Sequence, residues 1–182
     1  AEAYCYMQML NPGIKKAVKG YAIGKLDENL GELAAVAKKH EIKLAIIGPE
    51  APLAAGIVDE LEKNGIKCVG PTKELAQLET SKGFTRELLQ KYDINASPKF
   101  KVFNKNNSSE IKDFLAELEE YVLKPDGLTG GKGVKVFGEH ISNEEEALNY
   151  CNEIIESHGS ILIEEKLDGE EFSLQTLTDG NG

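Results

Sequence analysis

Two short apolar segments with an amphipathic stretch between them constrain the fold of this 182-residue chain more than any other feature. Residues 43–48 (KLAIIG) and 66–69 (IKCV) predict two strands. The stretch 53–64 places Ile57 and Leu61 on one face and ends before a glycine, which predicts a helix. A strand–helix–strand crossover pairs its strands in parallel, and continuously apolar strands are typical of sheets buried on both faces. We therefore expect a parallel βαβ unit whose ligands bind at the carboxyl ends of its strands.

The second half of the chain has a different order of elements, β-α-β-β-α-β. Its strands are predicted at 99–103, 121–124, 133–137 and 161–164, with a further strand at 172–178. The strands at 121–124 and 133–137 should form an antiparallel hairpin. Ser142 and Glu145 have the spacing of a capping box for the second helix. Between the two halves, Thr72 and Ser81 are predicted to cap helices over 73–78 and 82–91.

Composition excludes several classes of function. The formal net charge of -10 and the pI near 4.9 argue against non-specific nucleic-acid binding, and no apolar run is long enough for a membrane span. Arg86 is the only arginine, so phosphate recognition would depend on lysines and backbone N–H groups. Three widely separated cysteines indicate a reduced, cytoplasmic protein.

The segment from Lys124 to Gly133 (KPDGLTGGKG) is the strongest chemical motif. Four glycines within seven residues allow a concave backbone whose N–H groups and neighbouring lysines could bind a polyphosphate. It is not a Walker A loop, because Asp126 replaces the first glycine of that pattern and the segment lies between two strands. A glycine-rich hairpin turn without a ligand is the alternative, although a plain hairpin needs far fewer glycines.

Three weaker motifs leave two interpretations open. The acidic run Glu164–Glu171 after a strand could bind ribose hydroxyls or Mg²⁺, or could be a solvated turn. Glu50 follows a predicted strand end, where it could face a ligand or simply be exposed. Lys82 at a helix start is unfavourable for the helix dipole, which suggests an anion nearby, although a surface lysine is the simpler interpretation.

Five segments in order carry a resemblance over nearly the whole chain: GPEAPL (48–53), GPT (70–72), QLETSK (77–82), KPDGLTGGKGV (124–134) and IEEKLDGEE (163–171). The sequence resembles the phosphoribosylamine–glycine ligases (glycinamide ribonucleotide synthetases), a family of ATP-grasp enzymes of purine synthesis. The GPEAPL segment together with the glycine-rich segment resembles that family more specifically than the ATP-grasp superfamily.

The resemblance implies a role for each matching position. Two lysines would reach the ATP phosphates, the glycine-rich segment would cover the β- and γ-phosphates, a hinge would hold the adenine, and a carboxylate would bind the ribose. Glu50 would lie near the phosphoribosylamine pocket. The two lysines are Lys82 and Lys124. The glycine-rich segment contributes Gly127, Gly130, Gly131, Lys132 and Gly133. The hinge contributes Glu164, Glu165 and Leu167, and the ribose carboxylate is Glu171.

The implied reaction is ATP-dependent phosphorylation of glycine to glycyl phosphate, followed by attack of the amine of 5-phosphoribosylamine, with ADP and phosphate released. The implied cofactors are ATP and Mg²⁺, and no membrane or nucleic-acid partner is expected. The alternatives are another ATP-grasp carboxylate–amine ligase, or a nucleotide-binding module without catalysis.

The resemblance also implies an internal fragment. The chain would begin after the family's first strand and Gly-x-Gly-Gly turn, and would end before its metal ligands and catalytic arginine. We therefore expect the chain alone to be inactive. The expected fold class is α/β, with a partial parallel βαβ N-terminal domain (1–71), a helical connection (72–96), an α+β ATP-grasp lid subdomain (97–164) and the start of a truncated C-terminal part (165–182).

Overall fold

The computed structural model describes residues 2–128, 132–170 and 172–174. The chain forms two compact units. The N-terminal unit comprises Ala1–Asn95 and Asp126–Lys132, and the C-terminal unit comprises Ala96–Pro125 and Gly133–Gly182. The predicted four-part division of the chain into domains stays a prediction.

The N-terminal unit alternates strands and helices. Its two-stranded sheets are both parallel: β1 pairs with β2, and β3 pairs with β4. The elements in order are β1 (Tyr4–Met7), α1 (Pro12–Ala17), β2 (Gly20–Ile23), α2 (Leu30–Lys39), β3 (Leu44–Ile46), α3 (Glu50–Ala55), α4 (Ile57–Lys63), β4 (Lys67–Val69), α5 (Lys73–Thr80) and α6 (Lys82–Lys91). The predicted parallel pairing of β3 with β4 is confirmed.

The helical crossover between β3 and β4 differs from the single helix expected over 53–64. It consists of α3 and α4, and the boundary between them is Gly56. Gly56 has φ of +98°, a left-handed conformation that a continuous right-handed helix cannot include. The helix start also lies earlier than predicted, because α3 begins at Glu50.

Among the described residues, one face of the β3–β4 sheet is covered and the other is exposed. Its core joins residues of α2 and α4 to the inward side chains of the strands, including Ala45 and Cys68. The alternate positions point away from this core: Leu44 is 55% exposed, Ile46 76% and Val69 54%. The prediction that these strands are buried on both faces is therefore wrong for this structure. A continuously apolar run does not itself show that both faces are covered, and among the described residues the buried cluster, formed mainly by α2 and α4, covers one face.

The C-terminal unit is one four-stranded antiparallel sheet with two helices. The strand order is β5-β8-β6-β7. The elements are β5 (Phe100–Asn104), a short 3₁₀ turn (Ser108–Glu110), α7 (Ile111–Leu118), β6 (Tyr121–Pro125), β7 (Lys135–Val136), α8 (Glu144–His158) and β8 (Ser160–Glu165). Both helices pack on this sheet through one buried cluster that includes Phe103, Leu115, Leu123, Cys151 and Ile161. The β-α-β-β-α-β order and the β6–β7 hairpin are confirmed.

Two local predictions in this unit are wrong. The helix cap is Asn143 and not Ser142, because the Asn143 side chain accepts a hydrogen bond from the Glu146 N–H at 2.9 Å. The Glu146 carboxylate accepts from the N–H of Ser142, the residue before the cap, at 2.8 Å, so the cap lies one residue later than predicted. Residues 172–174 are not a strand, and the rest of the strand predicted at 172–178 lies outside the described residues.

The expected fold class is confirmed in its main features. Parallel strand pairs with helical crossovers form the first part of the chain, and an α+β sheet with two helices forms the second. The predicted N-caps of α5 and α6 are also confirmed: Thr72 accepts from the Leu75 N–H, and Ser81 accepts from the Phe84 N–H.

Candidate functional site

The glycine loop, defined here as residues 126–133, begins at the N-terminus of α6 within the N-terminal unit. The Asp126 carboxylate accepts hydrogen bonds from the N–H groups of Gly83 at 3.2 Å and Gly127 at 3.0 Å. The Ser81 hydroxyl donates to the same carboxylate, 3.0 Å from its Oδ2. The first turn of α6 contains no acidic residue of its own, so Asp126 supplies the negative charge that a helix N-terminus favours.

Lys82 is the first residue of α6 and is half-buried. Its Nζ donates to the Gly127 carbonyl oxygen at 2.9 Å. The structure thus brings together two of the predicted nucleotide-binding positions, Lys82 and Gly127. The ammonium group lies against the backbone of the glycine loop at its first turn.

Lys124 and Glu164 form an ion pair within the C-terminal unit. Lys124 lies on β6 and Glu164 on β8, two strands that pair antiparallel. The Glu164 side chain is 4% exposed, whereas that of Lys124 is 24% exposed. A carboxylate at this depth is costly without a cationic partner, and Lys124 provides one. A second predicted pair of nucleotide-binding positions is therefore in direct contact.

The end of the glycine loop is held by α8. The Tyr150 hydroxyl donates to the Gly133 carbonyl oxygen, and the Lys135 ammonium lies 3.9 Å from the centre of the Tyr150 ring. Burial, followed by the nearby carboxylate of Glu153, raises the pKa of Tyr150 above its ordinary value, so the phenol stays a donor. Gly133 has φ of +87°, and a Cβ there would lie 3.0 Å from Pro125 Cγ. Only glycine fits this turn without strain.

The predicted adenine hinge, 164–167, comprises the last two residues of β8 and the two that follow. The Glu165 carboxylate accepts a hydrogen bond from the Lys99 N–H at 2.8 Å, and the Lys166 N–H donates to the Glu120 carbonyl at 3.1 Å. Leu167 is 68% exposed and lies in a segment without regular secondary structure. The Glu165 carboxylate and the Lys166 N–H therefore make contacts within the C-terminal unit, whereas the Leu167 side chain is exposed.

The remaining predicted positions are more dispersed. Glu50 is exposed in the first turn of α3. Lys132 is exposed at the end of the N-terminal unit's loop segment. Gly130, Gly131 and Glu171 lie outside the described residues.

Two residues that contact predicted positions were not themselves predicted: Asp126, within the N-terminal unit, and Tyr150, within the C-terminal unit. Asp126 was considered only as a departure from the Walker A pattern. A signal was available, because the first turn of α6 begins with a lysine and lacks an acid, so a carboxylate from elsewhere is favourable there. Tyr150 gave no such signal, because its spacing fits an ordinary core position of an amphipathic helix.

Neither a metal cluster nor a membrane span is found in the described part of the chain. Across residues 2–128, 132–170 and 172–174, no group of three or more His, Cys, Asp or Glu side chains is placed to hold a metal ion. Within the same residues, no helix combines the length and the apolar character needed to cross a bilayer.

Two family profiles together match almost the whole chain. Residues 2–79 match the phosphoribosylglycinamide synthetase N domain. Residues 80–182 match the phosphoribosylglycinamide synthetase ATP-grasp (A) domain. The boundary between the two matches falls at the end of α5, immediately before the Ser81 cap of α6.

Individual relatives and solved structures agree with these matches. A phosphoribosylamine–glycine ligase from Methanobrevibacter smithii is 48% identical over 187 residues, covering 98% of this chain and 41% of the relative. A crystal structure of a phosphoribosylamine–glycine ligase from Thermotoga maritima superposes with a TM-score of 0.63 at 22% identity, covering 92% of this chain and 45% of that chain. A D-alanine–D-alanine ligase from Bacillus anthracis, complexed with ATP, has a similar fold, with a TM-score of 0.67 at 17% identity and coverage of 93% and 60%. This chain spans about two fifths of the length of the curated relatives it matches.

Proposed function

The chain belongs to the phosphoribosylglycinamide synthetase family, and on that premise we propose that it is the nucleotide-binding part of an ATP-dependent carbon–nitrogen ligase of purine biosynthesis. The proposed reaction joins glycine to 5-phosphoribosylamine. ATP phosphorylates the glycine carboxylate to glycyl phosphate, and the amine then displaces phosphate. The substrates of the whole enzyme would be ATP, glycine and 5-phosphoribosylamine, and its proposed location is the cytoplasm.

One observation supports the nucleotide-binding part of this proposal most directly, the Lys124–Glu164 ion pair. Lys124 stands at the end of β6, directly before the glycine loop, and its ammonium is held by a buried carboxylate. A side chain fixed in this way loses little conformational entropy when a phosphate binds, which favours recognition. Its partial exposure leaves the ammonium accessible to a ligand.

The donor chemistry of the site fits a polyphosphate. The proposed ligands are lysine ammoniums and backbone N–H groups, and the two lysines with described contacts each point to a hydrogen-bond acceptor of the site. Positive groups aimed at the transferring phosphoryl oxygens stabilise the charge that develops there, and this positioning is most of what catalysis of phosphoryl transfer requires.

We propose the following assignment of residues to the parts of ATP. The lysines bind the phosphates, the glycine loop covers the β- and γ-phosphates, the hinge at the end of β8 binds the adenine, and a carboxylate binds the ribose. Mg²⁺ would supply further positive charge at the phosphates, with ligands from outside this chain. The positions are Lys82 and Lys124; Gly127, Gly130, Gly131, Lys132 and Gly133; Glu164, Glu165 and Leu167; and Glu171. Glu50 is proposed near the phosphoribosylamine pocket.

Calorimetric titration of the chain with Mg-ATP tests nucleotide binding. We expect saturable binding that Lys124→Ala weakens at least tenfold, the ratio for losing a charge-assisted hydrogen bond. Because this substitution also disturbs Glu164, the double variant Lys124→Ala/Glu164→Gln is measured alongside. Lys101→Ala is the matched control. Lys101 lies on the same sheet as Lys124 and forms an exposed ion pair with Glu110. Equal ATP affinity in all variants would contradict the proposed role of Lys124.

A chimera tests ligation. This chain replaces the matching segment of the Methanobrevibacter smithii ligase, and ADP release is measured with glycine and 5-phosphoribosylamine, each omitted in turn. Release that needs both substrates and is lost with Lys82→Ala or Lys124→Ala supports the proposed ligase. A folded chimera that binds Mg-ATP but releases no ADP would favour a nucleotide-binding module without catalysis.

A further inference from the structure

We propose that Asp126 is a positioning residue, which holds Lys82 and the start of the glycine loop in the arrangement that receives the ATP phosphates. The proposal rests on the proposed function, because it concerns the same nucleotide site. It adds a positioning carboxylate to the lysines and glycines that are proposed to bind the phosphates.

Asp126 contacts the backbone beside Lys82 and at Gly127, the two residues whose position it would fix. Its Oδ1 accepts from the N–H groups of Gly83 and Gly127, and Ser81 donates to its Oδ2. Gly83 follows Lys82 in α6, and Gly127 is the glycine whose carbonyl oxygen accepts from the Lys82 ammonium. One carboxylate therefore fixes the backbone on both sides of the Lys82–Gly127 hydrogen bond.

Asp126 is distant in sequence from the start of α6, so its contacts there are not part of a local turn. Asp126 lies 45 residues after Ser81 and 43 after Gly83. An ordinary N-cap for α6 is already present, because Ser81 accepts from the Phe84 N–H at 3.1 Å. Asp126 is thus additional to the local capping of the helix, and its charge offsets the unfavourable lysine in the first turn.

The effect on function follows from preorganisation. A lysine that is already directed by a fixed backbone binds a phosphate with less loss of freedom than a lysine on a loose one. Removing the carboxylate should therefore weaken interactions with the phosphates, while contacts to the nucleoside stay unchanged. A purely structural role would instead lower the stability of the unit and weaken both kinds of ligand together.

The experiment uses the 182-residue chain, with Asp126→Ala and Asp126→Asn as variants and Asp27→Asn as the control. Asp27 is an exposed carboxylate in the same unit. Affinities for Mg-ATP and for adenosine are measured by calorimetry, and the Gly83 and Gly127 amides are followed by NMR with hydrogen exchange. We expect Asp126→Ala to weaken Mg-ATP about tenfold, as for one lost charge-assisted hydrogen bond, with adenosine affinity unchanged.

The amide signals separate the failure of this proposal from that of the proposed function. Both amides should exchange faster in Asp126→Ala than in the parent, and Asp126→Asn should restore part of their protection because its amide oxygen still accepts. Faster exchange with unchanged Mg-ATP affinity would overturn the positioning role and leave the proposed function standing. A parent chain that binds no Mg-ATP would overturn both proposals, and equal loss of ATP and adenosine affinity would overturn the positioning role in favour of a structural one.

Discussion

Lys124 on β6 and Glu164 on β8 are joined by an ion pair across neighbouring antiparallel strands, and the carboxylate side of the pair is almost completely buried. The register pairs Val122 with Glu164 and Lys124 with Leu162, so the two charged residues are diagonal neighbours on one face of the sheet. The pair has a structural consequence as well as the proposed functional one. A buried carboxylate is stable in this sheet only with positive charge or hydrogen-bond donors beside it.

Replacing Lys124 by alanine should destabilise the protein, because it removes the ammonium that lies beside the nearly buried Glu164 carboxylate. We expect the free energy of unfolding to fall by about 3 kcal/mol, measured by urea denaturation followed by circular dichroism. The double variant Lys124→Ala/Glu164→Gln should recover part of this loss, since it removes the buried charge. Lys101→Ala breaks an exposed pair with Glu110 and should cost less than about 1 kcal/mol. Similar losses for Lys124→Ala and Lys101→Ala would contradict this account of Glu164.

Alanine at Gly133 should cost more than alanine at Gly138. Both glycines have positive φ, +87° and +81°, so each substitution pays about 1 kcal/mol for the left-handed backbone. A Cβ at Gly133 would also lie 3.0 Å from Pro125 Cγ and 3.2 Å from the Tyr150 hydroxyl oxygen, whereas nothing lies within 4 Å of a Cβ at Gly138. We expect an additional loss of about 1–2 kcal/mol for Gly133→Ala in the same urea experiment. If Tyr150→Phe removes part of that additional loss, the contact with the hydroxyl is its cause; identical effects at both glycines would rule out the steric argument.

The C-terminal unit was more predictable from the sequence than the N-terminal unit, for a physical reason. Its strands are bounded by strong turn signals, and the helices between them have clear apolar faces such as Ile111 with Leu115. Local patterns of this kind determine the type of each element and the β6–β7 hairpin. The position of the α8 cap was missed by one residue, because Ser142 and Asn143 are both good caps and both have a glutamate three residues later.

In the N-terminal unit, local sequence patterns do not determine which faces of a sheet are covered. The apolar run at Leu44–Ile46 has the same appearance whether one face of the sheet is covered or both, because burial depends on which other elements pack there. The site shows the same limit. Lys82 and Lys124 were found from motifs, but the contacts of Asp126 with Ser81 and Gly83 join residues that are more than 40 positions apart. The first turn of α6 indicates that a carboxylate is favourable there, but nothing local in the sequence identifies Asp126 as its source.

Ile46 and Ile57 should contribute very differently to stability, because Ile46 lies on the exposed face of the β3–β4 sheet and Ile57 lies in the core. Ile46 is 76% exposed on that face, whereas Ile57, the first residue of α4, is 1% exposed in the core. Ile57→Ala should lower the free energy of unfolding by about 2–5 kcal/mol, because it removes buried methyl groups and leaves a cavity. Ile46→Ala should cost less than about 1 kcal/mol, a change within the range of strand propensity. Denaturant unfolding of both variants measures the difference, and a large loss for Ile46→Ala would show that this face is covered in solution.

Cys151 should make the stability of the protein depend on pH in alkaline solution. Burial raises the pKa of the Cys151 thiol from 9.0 to about 12. Above pH 9 the unfolded chain therefore loses this proton while the folded chain keeps it, so the stability contributed by the buried neutral thiol is complete below pH 9 and falls as the pH rises towards 12. Between pH 8 and pH 10 the parent should lose about 1.4 kcal/mol more than Cys151→Ala, in which the other alkaline groups titrate unchanged. The free energy of unfolding of both proteins is measured at each pH. Parallel pH profiles would show that the thiol ionises equally easily in the folded and unfolded states, and would contradict its burial between α8 and the sheet.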